Sequence, residues 1–156
     1  MNVWMINDLK NQFLTIGITA CPEEWRPIDS LISHGEVCIE TDWRNEDIEK
    51  SKRSNAIEDN IKYLKIMVDE SSQSTEFTIS INESMLIIQG SRESLSPLQD
   101  LADEFAKDDG SGQHVHFSYL DYEDISNWFS NKNIELILAV KSNSSIVPAG
   151  WALPTV

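Results

Sequence analysis

The chain has 156 residues, of which 40% are hydrophobic, and its formal net charge at pH 7 is −14. This length predicts a single domain over residues 1–156 with a core large enough to fold without disulfide staples. The acid excess argues against nucleic acid and anionic membranes as partners, because both are repelled at long range, whereas a basic protein is attracted.

In the first half of the chain, residues 13–19 are rich in β-branched side chains and predict a strand. The stretch 22–33 contains two prolines and predicts a loop with at most one helical turn. Residues 35–41 alternate polar and apolar side chains, which predicts a second strand. A helix is predicted next, because Ile57, Ile61, Leu64 and Val68 recur at helical spacing behind a capping Asn55.

In the second half, residues 77–81 and 85–89 predict a hairpin whose second strand is apolar on both faces, as in a central strand. An amphipathic helix follows, with Ser94 or Ser96 as its cap and an apolar face of Leu95, Leu98, Leu101, Ala102 and Phe105. Residues 114–119 and 134–140 predict two more strands. The uncharged tail 142–156 contains two prolines and predicts an extended or irregular segment.

This order of elements predicts an α+β fold: an antiparallel or mixed sheet of about six strands with two main helices packed on it. No repeat is strong enough to indicate a solenoid. The first residues lack the basic and apolar pattern of a signal peptide, and no apolar run approaches the ~18 residues of a membrane span. We therefore expect a cytoplasmic protein, with Cys21 and Cys38 as reduced thiols.

The sharpest local motif is His114-x-His116, whose two imidazoles point to the same side of a strand. A zinc site needs further ligands, and no spacing selects among His34, Cys21, Cys38, Asp121 and Glu123. Two partly packed histidines on a sheet are the alternative, and we predict no metal and no cofactor. The chain has no nucleophile elbow, phosphate loop or C-x-x-C pair, so we expect no enzymatic activity.

Aromatic and acidic residues are interleaved after the predicted strand 114–119. Tyr and Trp anchor many protein interfaces, and neighbouring carboxylates orient a basic partner. The alternative is an ordinary acidic loop with Trp128 and Phe129 tucked into the core. The predicted partner-binding residues are Asp108, Asp109, Tyr119, Asp121, Tyr122, Glu123, Asp124 and Trp128. The tail is expected to fold back over the core or a sheet edge, with an exposed docking strip as the alternative.

Residues 85–141 resemble the immunity protein 32 family of bacterial polymorphic toxin systems. The resemblance rests on Ile88-Gln89-Gly90-Ser91-Arg92-Glu93-Ser94-Leu95, the following Leu-rich helix, His114-Val115-His116-Phe117 and Glu135-Leu136-Ile137-Leu138. It covers about a third of the chain, and the first 75 residues add nothing to it. Ser94 departs from the pattern, in which glycine is expected.

This resemblance implies an inhibitor that binds a co-encoded toxin, as in contact-dependent growth inhibition, and blocks it inside the producing cell. The acid excess favours a basic toxin domain as the partner. Two other functions stay open: a small metal-binding protein or metalloenzyme that uses His114 and His116, and a structural or regulatory interaction domain. The oligomeric state is not indicated by the sequence.

Overall fold

The computed structural model describes residues 1–8, 10, 12–42, 61–108, 113–118 and 133–141. Its strands are β1 (Asn2–Asp8), β2 (Phe13–Ala20), β3 (Glu36–Glu40), β4 (Tyr63–Val68), β5 (Thr78–Asn82), β6 (Met85–Gly90), β7 (His114–Ser118) and β8 (Ile134–Val140). Its helices are α1 (Pro22–Asp29), α2 (Leu31–His34), which is a single turn, and α3 (Arg92–Ala106). The tail 142–156 and the predicted helix start at Asn55 lie outside these residues.

The fold is α+β, as predicted, but the expectation of one sheet with about six strands is wrong. The described strands form two four-stranded mixed sheets. The first sheet has the order β1-β2-β8-β7 and the second has the order β3-β4-β6-β5. Each sheet joins two antiparallel hairpins through one parallel pair of inner strands, β2 with β8 and β4 with β6.

Three local predictions need correction. No element was predicted over residues 2–8, which form β1. Residues 22–29 form α1 rather than a loop. Pro22 occupies the first helical position, where a backbone N–H would have no partner within the helix, so its missing N–H costs nothing. Trp25 and Ile28 of this helix are buried in the core. Residues 63–68 are strand β4 rather than helix. The buried residues Leu64 and Ile66 are two positions apart, which is the spacing of a strand with one buried face.

The hairpin over residues 78–90, the central position of β6 and the strands β2, β3, β7 and β8 confirm the predictions. The long helix α3 is also confirmed, although it begins earlier than predicted. Its N-cap is Ser91, whose hydroxyl accepts the Ser94 N–H at 3.0 Å. The two proposed caps, Ser94 and Ser96, both lie inside the helix instead, and Ser94 is buried in its first turn.

The two halves of the chain repeat the same arrangement of elements, a structural repeat that the sequence analysis did not find. Each half consists of a hairpin, a helical segment and a second hairpin, and the two hairpins of each half belong to different sheets. Residues seventy positions apart occupy equivalent places at the start of the helices. Pro27 in α1 corresponds to Pro97 in α3, and the buried pair Trp25 and Ile28 corresponds to Leu95 and Leu98.

The strand register follows the same structural repeat. Ile16 is aligned with Leu136 in the first sheet, and the equivalent residues Leu86 and Leu64 are aligned in the second. All four side chains are fully buried. Backbone hydrogen bonds repeat as well: the Lys141 N–H donates to the Ala20 carbonyl at 2.7 Å, and the Asp69 N–H donates to the Gly90 carbonyl at 2.7 Å. The two halves therefore share one backbone plan.

One hydrophobic core receives side chains from both sheets and from the helices. The Trp25 ring in α1 meets the Phe105 ring in α3 edge-on, with centroids 5.1 Å apart. Phe77, just before β5, meets Phe117 of β7 in the same way at 5.9 Å, which joins the second sheet to the first. Most of the inward-facing side chains of both sheets therefore belong to one core.

Candidate partner-binding surfaces

The predicted acidic and aromatic surface is described at one residue only. Asp108 lies two residues beyond the end of α3 and is half-buried, and its N–H donates to the Phe105 carbonyl at 3.1 Å. The other predicted partner-binding residues lie outside the described part of the chain: Asp109, Tyr119, Asp121, Tyr122, Glu123, Asp124 and Trp128. For those residues the contact surface stays a prediction.

The two histidines of the His-x-His motif do lie together on β7. Their ring centroids are 5.2 Å apart. His116 Nδ1 lies 2.5 Å from an Oε1 atom of Glu135, which is on the neighbouring strand β8. Burial, and then the neighbouring His116, lower the pKa of His114 below its ordinary value. The arrangement orients the His116 ring through the Glu135 carboxylate, which fixes which ring nitrogen carries a proton.

This pair does not extend to a metal site among the described residues, where no group of three or more His, Cys, Asp or Glu side chains is placed to hold a metal ion. The predicted additional ligands are dispersed: Cys21 precedes α1, His34 ends α2 and Cys38 is on β3. Both cysteines are free. Burial and the nearby Glu24 raise the pKa of the Cys21 thiol, which disfavours the reactive thiolate.

The second sheet presents a surface that the sequence analysis did not identify. Side chains along its strands alternate between the core, as at Leu64 and Leu86, and the opposite side. We call that opposite side the outer face of the second sheet. It comprises Glu36, Cys38 and Glu40 on β3, Tyr63, Lys65 and Met67 on β4, Met85, Ile87 and Gln89 on β6, and Thr78, Ser80 and Asn82 on β5.

Apolar side chains predominate on the two inner strands of this face, around Lys65 at the middle outward position of β4. Four of the six outward positions on the two inner strands are Tyr63, Met67, Met85 and Ile87, and the register places Tyr63 beside Met85. Tyr63 is 39% exposed and the other three are half-buried. A sheet face that meets only water usually alternates to polar residues. Several partly exposed apolar side chains on one such face are typical of a contact surface.

The two rims of the face differ in charge. On β3, the exposed Glu36 and Glu40 flank Cys38, and Lys65 Nζ lies 3.8 Å from a Glu36 carboxylate oxygen. On β5, the rim carries hydroxyl and amide side chains without charge. The β3 rim therefore has two carboxylates, and one of them lies beside the Lys65 ammonium.

The first sheet gives an internal comparison, because its outer face is the structural equivalent. There, Ala139 is fully buried and Ile137 is 7% exposed. The Trp4 ring lies so close over Gly17 that a Cβ atom on Gly17 would be 1.9 Å from Trp4 Cε2. The centre of the first outer face is therefore closed, whereas the equivalent centre of the second remains accessible.

A signal for the second outer face was present in the sequence. The run Met85-Leu86-Ile87-Ile88-Gln89 is apolar on both faces, although only one face of β6 meets the core.

No helix in the described part of the chain is long and apolar enough to cross a membrane. Comparison with known proteins finds no family model, no curated protein and no solved structure that matches this chain.

Proposed function

We propose that this chain is an immunity protein: it binds a basic toxin domain in the cytoplasm of the producing cell and neutralises it, without catalysis of its own. The observation that carries the proposal is the acid excess, 26 acidic against 12 basic residues. The partial resemblance to an immunity family and the accessible apolar face of the second sheet support it. A binding protein needs a complementary surface and no reactive group.

Complementary charge acts mainly on the rate of association, before the two proteins are in contact. Complementary potentials raise the rate at which two proteins meet and disfavour wrong partners, and salt screens both effects. We place the charged part of the contact in the segment from Tyr119 to Trp128, with Asp108 and Asp109 beside it. Its tyrosines and tryptophan would anchor the toxin, and its carboxylates would orient it. A toxin held in this way is blocked by occlusion of its active site.

The test measures association of this chain with the toxin domain encoded beside its gene. We expect the association rate constant to fall steeply as salt rises from low to high concentration, with dissociation changing less. Replacing Asp121, Glu123 and Asp124 together by their amides should slow association further. The matched control replaces three exposed acids of α3, Glu93, Asp100 and Glu104, by amides, which changes the net charge equally.

An association rate that ignores salt would show that charge does not steer the encounter. Equal slowing by the two triple variants would place the charged contact outside residues 121–124. A neighbouring toxin domain that neither binds this chain nor loses activity in its presence would remove the proposed function altogether.

Two alternatives have their own tests. A metal-binding protein predicts stoichiometric zinc in protein purified without a histidine tag, lost when His114 and His116 are both replaced. The 2.5 Å contact between His116 and Glu135 is the observation that favours testing it. A structural or regulatory domain predicts a stable homo-oligomer when the purified chain is sized.

A further inference from the structure

We propose that the tail 142–156 packs across β1, β2 and β8 on the outer face of the first sheet, which is the side of that sheet that points away from the core. The sequence analysis left three places open for the tail: the core, a sheet edge and another protein. The proposal commits to a different place, a face of the chain's own sheet. It does not rest on the proposed function.

The outward residues of the first sheet lie in three rows across its strands. The register places Trp4, Gly17 and Ile137 in the middle row, Ile6 in one outer row and Ala139 in the other. Each row contains a buried apolar side chain, since Ile6 is 8% exposed, Ile137 is 7% exposed and Ala139 is 0% exposed. A sheet face in contact with water alternates to accessible polar side chains instead. The burial in all three rows therefore indicates a covered face.

The described part of the chain supplies one apolar side chain to this cover. Trp4 packs against the small outer cluster of Ile137 and Ala139. The buried apolar residues of the described helices α1, α2 and α3 belong to the core on the opposite side of the sheet. One ring in the middle row is a short cover for three rows that are ~7 Å apart. A further segment of chain completes it.

The absence of charge selects the tail from the three long segments outside the described residues. Residues 142–156 contain no acidic or basic side chain, whereas residues 43–60 contain nine and residues 119–132 contain four. A charge pressed against an apolar face loses its water without gaining a partner, which is costly. The apolar side chains of the tail, among them Trp151 and Leu153, meet no such cost.

The tail also starts in the right place. The Lys141 N–H donates to the Ala20 carbonyl at 2.7 Å, which holds the chain to the first sheet up to the residue before the tail. Residues 142–145 are small and polar, as is common where a chain reverses direction. Residues 146–154 span ~30 Å when extended, and the outer rows of the face are ~14 Å apart. The tail is therefore long enough to cross all three rows.

Prolines favour the face over an edge of the sheet. Pro148 and Pro154 have no N–H, so neither can donate to an edge strand. Packing across a face depends on side chains instead, and extended segments that contain proline dock on aromatic surfaces. Trp4 is a half-buried aromatic residue on this face, and it lies directly over Gly17. Its indole ring is the contact that we assign to the prolines.

The experiment measures how fast iodoacetamide alkylates a cysteine placed under the tail. Ala139→Cys introduces this thiol on the outer face of the first sheet. Met67→Cys is the matched control, because Met67 occupies the equivalent register position on the outer face of the second sheet and is half-buried. Both are made in a chain that carries Cys21→Ser and Cys38→Ser, so that each protein has one thiol.

The tail is altered by Trp151→Ser/Leu153→Ser in the full chain. We expect this change to accelerate alkylation at position 139 at least about tenfold, because a thiol that is covered reacts only when its cover opens. Alkylation at position 67 should not change. Thermal unfolding of each protein is recorded beside the alkylation rates. Ile137→Cys, whose thiol is smaller than the side chain that it replaces, repeats the measurement should Ala139→Cys fail to fold.

Four results would overturn the proposal. Slow alkylation at position 139 that ignores the tail variant would show that another segment covers the face. Acceleration at position 67 alone would place the tail on the second sheet. Acceleration at both positions, as in a chain that has lost its fold, would show that the tail belongs to the core. Protection that falls on dilution of the parent chain would show that a second copy is the cover.

Discussion

At the scale of single residues, His114 couples the outer side of the first sheet to pH. Its pKa is lowered first by burial and then by His116, which is itself in contact with Glu135. A histidine with a lowered pKa binds its proton less readily in the folded chain than in the unfolded chain. Its contribution to stability is therefore complete above its ordinary value of 6.5 and is lost as the pH falls through the lowered value.

We predict that His114→Gln weakens the loss of stability between pH 7 and pH 5. The measurement is the free energy of unfolding in urea across that range, compared with the parent chain. His34→Gln is the matched control, because His34 is an exposed histidine at the end of α2. If both variants follow the parent curve, protonation of His114 does not contribute to acid sensitivity, and the carboxylates account for it.

At the scale of elements, the two helix starts offer a comparison within one molecule. Ser91 and Cys21 are equivalent N-caps of α3 and α1. The Ser91 hydroxyl accepts from the Ser94 N–H and donates to the Ser74 carbonyl at 2.6 Å, which ties the loop before β5 to the helix. A thiol is a weaker acceptor than a hydroxyl. We therefore expect the Ser91 side chain to stabilise its helix start more than the Cys21 thiol does, since at α1 the Glu24 carboxylate also takes part by accepting the Cys21 N–H at 3.0 Å.

We predict that Ser91→Ala lowers the free energy of unfolding by about 1–2 kcal/mol, in the range of a lost N-cap. Cys21→Ala, the control at the equivalent site, should cost distinctly less. Urea unfolding followed by circular dichroism measures both. Equal losses would mean that the tie to Ser74 and the stronger acceptor add nothing, and that the backbone alone fixes the start of α3.

Elements were predictable where the spacing of apolar residues fitted only one of the two periods, that of a helix or that of a strand. Strands β2, β6 and β8 are runs of β-branched and aliphatic residues, and α3 repeats Leu95, Leu98, Ala102 and Phe105 at helical spacing. Prediction failed at β4, where Leu64 and Val68 satisfy both periods and pairing with β3 and β6 decides. It failed at α1 because two prolines indicate a loop, although one of them is at the favoured first position.

Of the two candidate surfaces, one depends on composition and could be predicted from the sequence, whereas the other depends on strand pairing and could not. Charge is additive along a sequence, so the acid excess and its preference for a basic partner were predictable from composition. The outer face of the second sheet was not, because it exists only when strands from distant parts of the chain are paired. Glu36 is aligned with Met67, and Met67 is aligned with Gln89, in a strand register that no local sequence pattern specifies.

At the scale of the whole molecule, we expect the shared sheets and the common core to make the chain one cooperative unit. Neither half forms a sheet alone, since the first sheet needs hairpins from both ends of the chain. The parallel pair joins β2, near the start of the sequence, to β8, near its end, so the first sheet depends on strands that are far apart along the chain. Loss of packing in either sheet is therefore expected to loosen both.

Leu64 and Leu136 test this unity, because they are equivalent leucines on β4 and β8 and both are 0% exposed. We predict that Leu64→Ala and Leu136→Ala each lower the free energy of unfolding by about 2–5 kcal/mol, as expected for a buried leucine that leaves a cavity. Urea unfolding should remain a single transition by both fluorescence and circular dichroism. Hydrogen exchange in Leu64→Ala should show lower protection of the β8 amides as well as of the β4 amides. Protection lost in one sheet only, or two separate transitions, would show that the sheets fold as independent units despite their common core.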